Sequence, residues 1–127
     1  MYRLAITRDF IARHFLIGGD WGAENSEHSH HYKVQVRLRG ESLNAHGYLA
    51  DIVDLEAALD EAVARFRDRT LNDLEPFAKI NPSLERFARV LYDDLRARSA
   101  LDGLDLDVKL WENERDWAAY GPRPRSD

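Results

Sequence analysis

Two long stretches of the chain alternate between apolar and polar residues, which is the pattern of strands with one buried face. The first predicted strand covers residues 2–16, and the second covers residues 28–40. A third alternating stretch at residues 104–113 and a shorter one at 116–121 predict two more strands. Residues 48–53 are interpreted as a short returning strand. The pattern therefore predicts a sheet of four or five strands.

Apolar residues recur at helical spacing in two segments, residues 54–69 and residues 81–99. Asp54 is predicted to cap the first helix, while Asn81, followed by Pro82 at the first helical position, is predicted to cap the second. Because strands and helices are segregated along the chain, the predicted fold class is α+β with a mostly antiparallel sheet.

Length and composition indicate an ordinary globular protein. The 127 residues fit a single domain, placed at residues 1–120, with a flexible polar tail at 121–127. A net charge of −5 gives no reason to expect binding to nucleic acid or to an anionic membrane. The start of the chain does not have the pattern of a signal peptide, and no run approaches the roughly 20 apolar residues of a membrane span. We therefore expect a cytoplasmic protein.

The chain has no cysteine, so disulfides, thiolate metal ligands and thiol catalysis are excluded. Of the five histidines, however, three stand within four positions at the start of the second predicted strand.

The histidine spacing suggests a metal site. His28 and His30 point to the same face of their strand and lie about 7 Å apart along it. His14 lies on the apolar face of the first strand, so its side chain can project to the same side. Three imidazoles with an open fourth position form a catalytic type of zinc site. Alternatively, each is an ordinary core or surface histidine. His31 has the opposite parity and His46 lies in a turn, so both are interpreted as solvated or structural.

Glu112 is a second unusual position, because it continues the apolar face of the strand at residues 104–113. A carboxylate that points into a core is costly unless it is paired. Either this face has reached solvent at Glu112, or the carboxylate accepts from a ligand with adjacent N–H donors. A pterin or a guanine has such an edge.

Six short motifs follow one another between residues 10 and 113. In order they are FIARHFL around His14, HSHHY with His28 and His30, GYLADIVDL around Asp51, RDRTLND, NPSLERFA with Ser83, and VKLWEN with Glu112. This ordered set resembles the family of 6-pyruvoyl-tetrahydropterin synthases and 6-carboxy-tetrahydropterin synthases.

The resemblance implies a T-fold, in which two helices pack on one face of the sheet. It also implies a homohexamer made of two trimers, with active sites at the subunit interfaces. The family substrate is 7,8-dihydroneopterin triphosphate. By the same resemblance, Zn²⁺ would be held by His14, His28 and His30, and the pterin would be bound by Glu112 and Ser83.

The chain departs from the family at the acid/base residues. The position of the family's catalytic cysteine is occupied by Glu24, and the Asp–His pair falls on Arg67 and Asp68. A carboxylate can transfer protons if burial or a like charge raises its pKa. Glu24 and Asp68 are therefore the candidate catalytic pair, although each could instead be a solvated surface carboxylate. Glu27 is a weaker candidate because of its opposite parity.

Family members with a glutamate in place of the cysteine cleave the side chain and release 6-hydroxymethyl-dihydropterin. The predicted function is therefore a zinc-dependent lyase that acts on a pterin side chain. The alternatives are a non-catalytic zinc-containing protein that binds a pterin or purine, a zinc enzyme acting on another heterocycle, and a purely structural oligomer. An enzyme is favoured if Glu24 and Asp68 face the metal.

Overall fold

The computed structural model describes residues 1–122, and the predicted flexible tail falls largely on residues 123–127, outside the described part. Six main elements make up the fold. They are β1 (Tyr2–His14), β2 (His28–Gly40), α1 (Ile52–Ala64), α2 (Leu84–Arg96), β3 (Asp105–Trp111) and β4 (Trp117–Tyr120). No helix among residues 1–122 has the length and apolar character needed to cross a bilayer.

The strands form one sheet in the order β1-β2-β3-β4, and every neighbouring pair is antiparallel. The register places Ile6 opposite Val36 and Val36 opposite Val108, all three of them buried. Since side chains alternate between the two faces, this register gathers the apolar residues of three strands on one face. The predicted α+β class with a mostly antiparallel sheet is confirmed.

Both helices contribute an apolar stripe to the same core. α1 buries Leu55, Leu59 and Val63, and α2 buries Phe87 and Leu91. These residues recur every four positions, so they lie on one side of each helix. They belong to one cluster with the buried residues of β1, β2 and β3. The two helices therefore cover one face of the sheet, as predicted.

The predicted short strand at residues 48–53 is wrong. The chain there is irregular up to Asp51, and α1 begins at Ile52. The Asp51 carboxylate accepts from the Val53 amide at 2.9 Å and caps the helix. The cap therefore lies three residues before Asp54, the predicted one. An aspartate at this position satisfies a free amide of the first turn, so the helix starts where the alternation suggested a strand.

The second helix also has a different cap from the predicted one. Ser83 precedes α2, and its Oγ accepts from the Arg86 amide at 3.2 Å. Asn81 lies two residues before Ser83 and binds the backbone of Ile17 instead. Both residue types are good caps, so the sequence could not decide between them without the neighbouring chain.

The first helix ends earlier than residue 69. α1 stops at Ala64, and Asp68 adopts a left-handed backbone conformation with φ of 59°. The Asp68 amide donates to the Ile11 carbonyl at 2.7 Å, which joins this turn to β1. Aspartate tolerates this conformation better than most residues do, so it can end the helix there.

Five aromatic rings meet at the centre of the core around Phe87 of α2. Its ring makes edge contacts with four others, at centroid distances of 5.9, 5.1, 5.2 and 5.5 Å to Phe10, Tyr32, Phe66 and Phe77 respectively. Phe10 and Tyr32 also stack on each other across β1 and β2 at 5.4 Å. This aromatic core joins the helices to the sheet.

Replacing Phe87 with alanine should therefore destabilise the fold strongly. The change leaves a cavity among four aromatic rings, and we expect a loss of about 3–5 kcal/mol in the free energy of unfolding, measured by urea denaturation. Tyr48→Ala is the control, because that side chain is 61% exposed and its loss should change stability by no more than about 0.5 kcal/mol. Equal effects of the two changes would contradict the central place given to Phe87.

Candidate metal centre

The pairing of β1 with β2 brings the three predicted histidines together. His14 lies directly opposite His28, and Ala12 lies opposite His30. All three imidazoles project from the face that carries the core, and their ring centroids lie 4.6, 4.7 and 4.9 Å apart in edge-to-face arrangement. His14 is the last residue of β1, and its side chain is only 4% exposed.

The Nε2 atoms of these three rings are buried and have no hydrogen-bond partner among residues 1–122. A buried polar atom without a partner costs free energy, so such atoms usually have a reason to remain unpaired. One potential ligand atom from each of His14, Glu24, His28 and His30 lies within 4.8 Å of the others. A tetrahedral zinc ion with Zn–N distances of about 2.0–2.1 Å requires ligand atoms roughly 3.4 Å apart, so small side-chain adjustments suffice. The four residues could hold a metal ion.

The protonation state of His14 suits a metal ligand. Burial, together with the nearby rings of His30 and His28, lowers the pKa of His14 to about 4. The Pro82 backbone and the Glu24 carboxylate act in the opposite direction but do not outweigh burial. His14 is therefore neutral near pH 7 and can offer a nitrogen lone pair without first losing a proton.

Groups behind the histidines orient two of the rings. The Nδ1 atom of His28 lies 2.8 Å from the Ser26 carbonyl, which can only accept, so Nδ1 carries a proton. The Tyr32 hydroxyl lies 3.3 Å from His14 Nδ1. Burial, with smaller contributions from Glu112 and Glu24, raises the pKa of the Tyr32 phenol, so the hydroxyl stays neutral. Partners of this kind fix the ring orientation of metal-binding histidines.

Glu24 lies close to His28 because of a turn in the chain and not because of strand parity. It lies in a 3-10 turn at Gly22–Asn25. Strand parity would apply to Glu24 only if the chain before His28 were extended, and it is not. The turn nevertheless brings Glu24 Oε2 to 2.8 Å from His28 Nε2. In the neutral ring with its proton on Nδ1, both atoms of this contact are acceptors. Two acceptors at such a distance repel unless a cation or a proton lies between them.

Glu112 lies just beyond the end of β3, where the chain turns back towards β4. It is half-buried, and its amide donates to the Asp116 carbonyl at 3.3 Å. The residue lines an open pocket of about 450 Å³ that also includes His30 and Lys33. Of the three clustered histidines, His30 borders this pocket, while Lys33 stands on the opposite face of β2.

Ser83 and Asp68 do not contact the histidine cluster directly. Ser83 is half-buried at the N-terminus of α2, where it caps the helix. Asp68 is exposed beside β1, and its carbonyl accepts from the Arg13 guanidinium at 2.9 Å. Glu27, the weaker candidate, accepts a hydrogen bond from the Thr70 hydroxyl and lies 3.9 Å from Arg13.

Sequence reasoning missed two features of this site. The role of Tyr32 beside His14 was not predicted, although its position two residues after His30 on the same face was a signal. The close approach of Glu24 to His28 was also not predicted from geometry. Glycines flank this loop, which makes tight turns possible, but they do not specify where a carboxylate ends up.

The fold matches solved structures over nearly the whole chain. The Caenorhabditis elegans 6-pyruvoyl tetrahydropterin synthase superimposes with a TM-score of 0.86, with 23% identity and 96% of each chain covered. A 6-pyruvoyltetrahydropterin synthase of Plasmodium vivax gives a TM-score of 0.77 at 17% identity, covering 97% of this chain and 98% of that one. At these identities the likeness establishes the fold, a T-fold like that of the tetrahydropterin synthases.

Sequence comparison establishes the family. The family model described as 6-pyruvoyl tetrahydropterin synthase matches residues 3–123, so the chain belongs to this family. A 6-carboxy-5,6,7,8-tetrahydropterin synthase of Bacillus subtilis is 29% identical over 134 aligned positions, covering 96% of this chain and 88% of the relative. The 6-pyruvoyl tetrahydrobiopterin synthase of Drosophila melanogaster is 28% identical over 76% of this chain. The match spans only 60% of the Drosophila protein's length.

Removing one of the three imidazoles should abolish tight metal binding. We expect about one zinc ion per chain in the parent protein and its loss in His28→Ala, since two imidazoles hold zinc less well than three. Elemental analysis after dialysis against a weak chelator measures this. His46→Ala is the control, because His46 is exposed in a turn beyond the other end of β2.

Stoichiometric metal in a variant lacking His14, His28 and His30 together would show that the ion binds elsewhere.

Proposed function

We propose that this chain is a zinc-dependent lyase that acts on the side chain of 7,8-dihydroneopterin triphosphate or a related pterin and releases 6-hydroxymethyl-dihydropterin. The observation that carries the proposal is the contact of Glu24 with His28. It places a carboxylate beside one of three clustered imidazoles, and by the family resemblance this glutamate takes the position of the cysteine. Membership of the tetrahydropterin synthase family supports the choice of a pterin.

The metal would be held by His14, His28 and His30, since imidazole nitrogens are common zinc ligands. When bound there, zinc would polarise the hydroxyl groups of the pterin side chain and make them more acidic. Glu24 then accepts a proton from a side-chain hydroxyl, because its carboxylate lies 2.8 Å from His28 Nε2 and within 4.8 Å of a ligand atom of each of the other two histidines. A carboxylate is a weaker base than a thiolate. It therefore favours removal of a hydroxyl proton over removal of a carbon-bound proton. As that proton leaves, its hydroxyl carbon becomes a carbonyl and the bond to the ring-side hydroxyl carbon breaks. The ring-side carbon takes up a proton to give 6-hydroxymethyl-dihydropterin, and the rest of the side chain leaves as a triphosphorylated two-carbon aldehyde.

A catalytic glutamate has a precedent in the family. The Plasmodium vivax 6-pyruvoyltetrahydropterin synthase has been studied as variants in which a catalytic glutamate is replaced by alanine or by cysteine. That a relative with this fold has a glutamate as a catalytic residue supports a catalytic role for Glu24.

The pterin ring would be bound by Glu112 and Ser83. The half-buried Glu112 carboxylate can accept from two adjacent N–H groups, and its pocket is shared with His30. Ser83 uses its oxygen as an acceptor for the Arg86 amide, so its hydroxyl proton is still available to the ligand. The ring would then lie at the end of β3 while its side chain extends towards the histidines.

Asp68 is retained as the proposed second acid/base group. Within one chain its carboxylate is exposed, and no hydrogen bond joins it to the histidine cluster among residues 1–122. It can take part only if the site is completed by assembly, which agrees with a homohexamer that has active sites between subunits.

The contact between Glu24 and His28 also favours a second function. If Glu24 stays bound to the metal as a fourth ligand, the site is closed, and closed four-ligand sites are typically structural. The chain would then be a zinc-containing protein that binds a pterin or purine without changing it. The substitution of Glu24 separates the two functions.

Replacing Glu24 with glutamine should remove the base while it keeps the shape of the side chain. We expect turnover of dihydroneopterin triphosphate to fall by roughly 10²–10⁴-fold, the usual cost of losing one acid/base group. Zinc content and pterin affinity should be retained, because the three histidines and Glu112 are unchanged. Product analysis by chromatography measures the release of 6-hydroxymethyl-dihydropterin.

Glu27→Gln is the matched control, since Glu27 is a neighbouring carboxylate that binds Thr70 rather than a histidine. Unchanged turnover in Glu24→Gln would exclude Glu24 as the base. A parent protein that binds dihydropterins tightly and converts none of them would establish the binding function instead.

We also expect the protein to form a homohexamer. The described chain covers one face of its sheet with helices, and β1 is a 13-residue edge strand whose outer backbone is bonded to residues 68–69 only at Ile11 and Arg13, near its C-terminal end. Such an edge is normally covered by another strand or chain. Light scattering at micromolar concentration should report a mass close to six chains. A stable monomer under the same conditions would contradict this assembly.

A further inference from the structure

The backbone directly after His14 is held by side chains rather than by a neighbouring strand. The Phe15 amide donates to Asn72 Oδ1 at 3.0 Å, and Asn72 Nδ2 donates to the Phe15 carbonyl at 2.9 Å. Asn81 binds Ile17 in the same way, at 2.6 Å and 3.1 Å. Each side-chain amide therefore satisfies both backbone groups of one residue, as a paired strand residue would.

The residue between them is held from the opposite side. The Leu16 amide donates to the Glu24 carbonyl at 2.8 Å, and the Leu16 carbonyl accepts from Asn25 Nδ2 at 3.1 Å. Phe15 and Ile17 thus face the two asparagines, and Leu16 faces the turn that carries Glu24. This alternation is that of a strand, although no strand lies on either side.

The two asparagines are themselves fixed to the core. Asn72 lies in a 3-10 turn that begins with the buried Leu71, and Asn81 directly precedes the buried Pro82. Both asparagine side chains are half-buried. Their amides therefore offer a rigid surface against which residues 15–17 are placed.

We propose that Asn72 and Asn81 are positioning residues of the metal centre. They fix the backbone of residues 15–17, and this segment in turn fixes the distance between His14 and the Glu24 carboxylate. Neither asparagine touches the histidine nitrogens, so the effect passes through the backbone of Phe15, Leu16 and Ile17. The proposal rests on the function proposed above, since it assumes that His14 and Glu24 act on one metal ion.

The chemistry explains why asparagine is needed at both positions. A side-chain amide has a donor and an acceptor side by side, which a peptide group requires of its partner. Aspartate keeps the acceptor but loses the donor, and its charge faces a carbonyl oxygen. Alanine loses both. Either change frees the segment that joins His14 to Glu24.

Alanine variants test the proposal against a matched control. Asn72→Ala and Asn81→Ala each remove two hydrogen bonds to backbone. Asn44→Ala also removes two, because Asn44 Oδ1 accepts from the amides of His46 and Tyr48 at 2.9 and 3.0 Å. Asn44 follows β2 at the end opposite His28, and the 13 residues of that strand extend over roughly 40 Å.

The main measurements are zinc affinity, by competition with a chromophoric chelator, and the visible spectrum of the protein loaded with Co²⁺. We expect Asn72→Ala and Asn81→Ala to lower zinc affinity by about 10–100-fold, the usual effect of losing a group that supports metal ligands. Their Co²⁺ spectra should shift as well. Asn44→Ala should leave both unchanged, even if its thermal unfolding without metal is lowered by a similar amount. Asn72→Asp and Asn81→Asp serve if the alanine variants do not fold.

Turnover gives an independent measurement. If the segment acts on Glu24, Asn81→Ala should reduce turnover much less in a Glu24→Gln background than in the parent. Unchanged zinc affinity and Co²⁺ spectra in both asparagine variants would overturn the proposal even if the parent is an active lyase. A parent that binds zinc without converting a pterin would overturn the lyase alone, and lower affinity in the variants would still support the positioning role. A parent that binds no zinc would overturn both.

Discussion

The register between β1 and β2 is the constraint on which the rest of the structure depends. It places Ile6 opposite Val36 and His14 opposite His28, so one set of pairings determines both the core and the metal centre. A slip by one residue would turn every side chain of a strand to the other face. The apolar residues would then lose their contacts with the helices, and the imidazoles would separate. Burial of the core therefore protects the geometry of the histidines.

The metal centre lies at one end of this core and shares side chains with it. Tyr32 contacts Phe87 on one side and His14 on the other, so the aromatic core reaches the first imidazole. At this end of the sheet, His14, His28 and His30 occupy the face that is apolar in the rest of β1 and β2. Unpaired nitrogens cost free energy in the metal-free chain, and the aromatic contacts provide stability that offsets this cost.

Periodicity predicted which residues share a face within a single strand or helix. Alternation located His14, His28 and His30 on one face, and helical spacing located the stripes of α1 and α2. It could not decide between Asn81 and Ser83 as the cap of α2, because both residue types can cap a helix. In the structure the Asn81 side chain binds the Ile17 backbone, and Ser83 caps the helix. Glu24 was identified by the family resemblance rather than by parity. Its position is set by a turn that is joined to Leu16, because the Leu16 amide donates to the Glu24 carbonyl. Strand or helix periodicity does not predict a bond of this kind.

The absence of cysteine has a consequence for the chemical durability of the candidate site. Its ligand and acid/base atoms are imidazole nitrogens and carboxylate oxygens, whereas a thiolate in the same place would be open to oxidation by peroxide and to alkylation. The only sulfur in the chain belongs to Met1, which is exposed at the far end of β1 from His14. A site of this composition has a weaker base than a thiolate and is less open to oxidation.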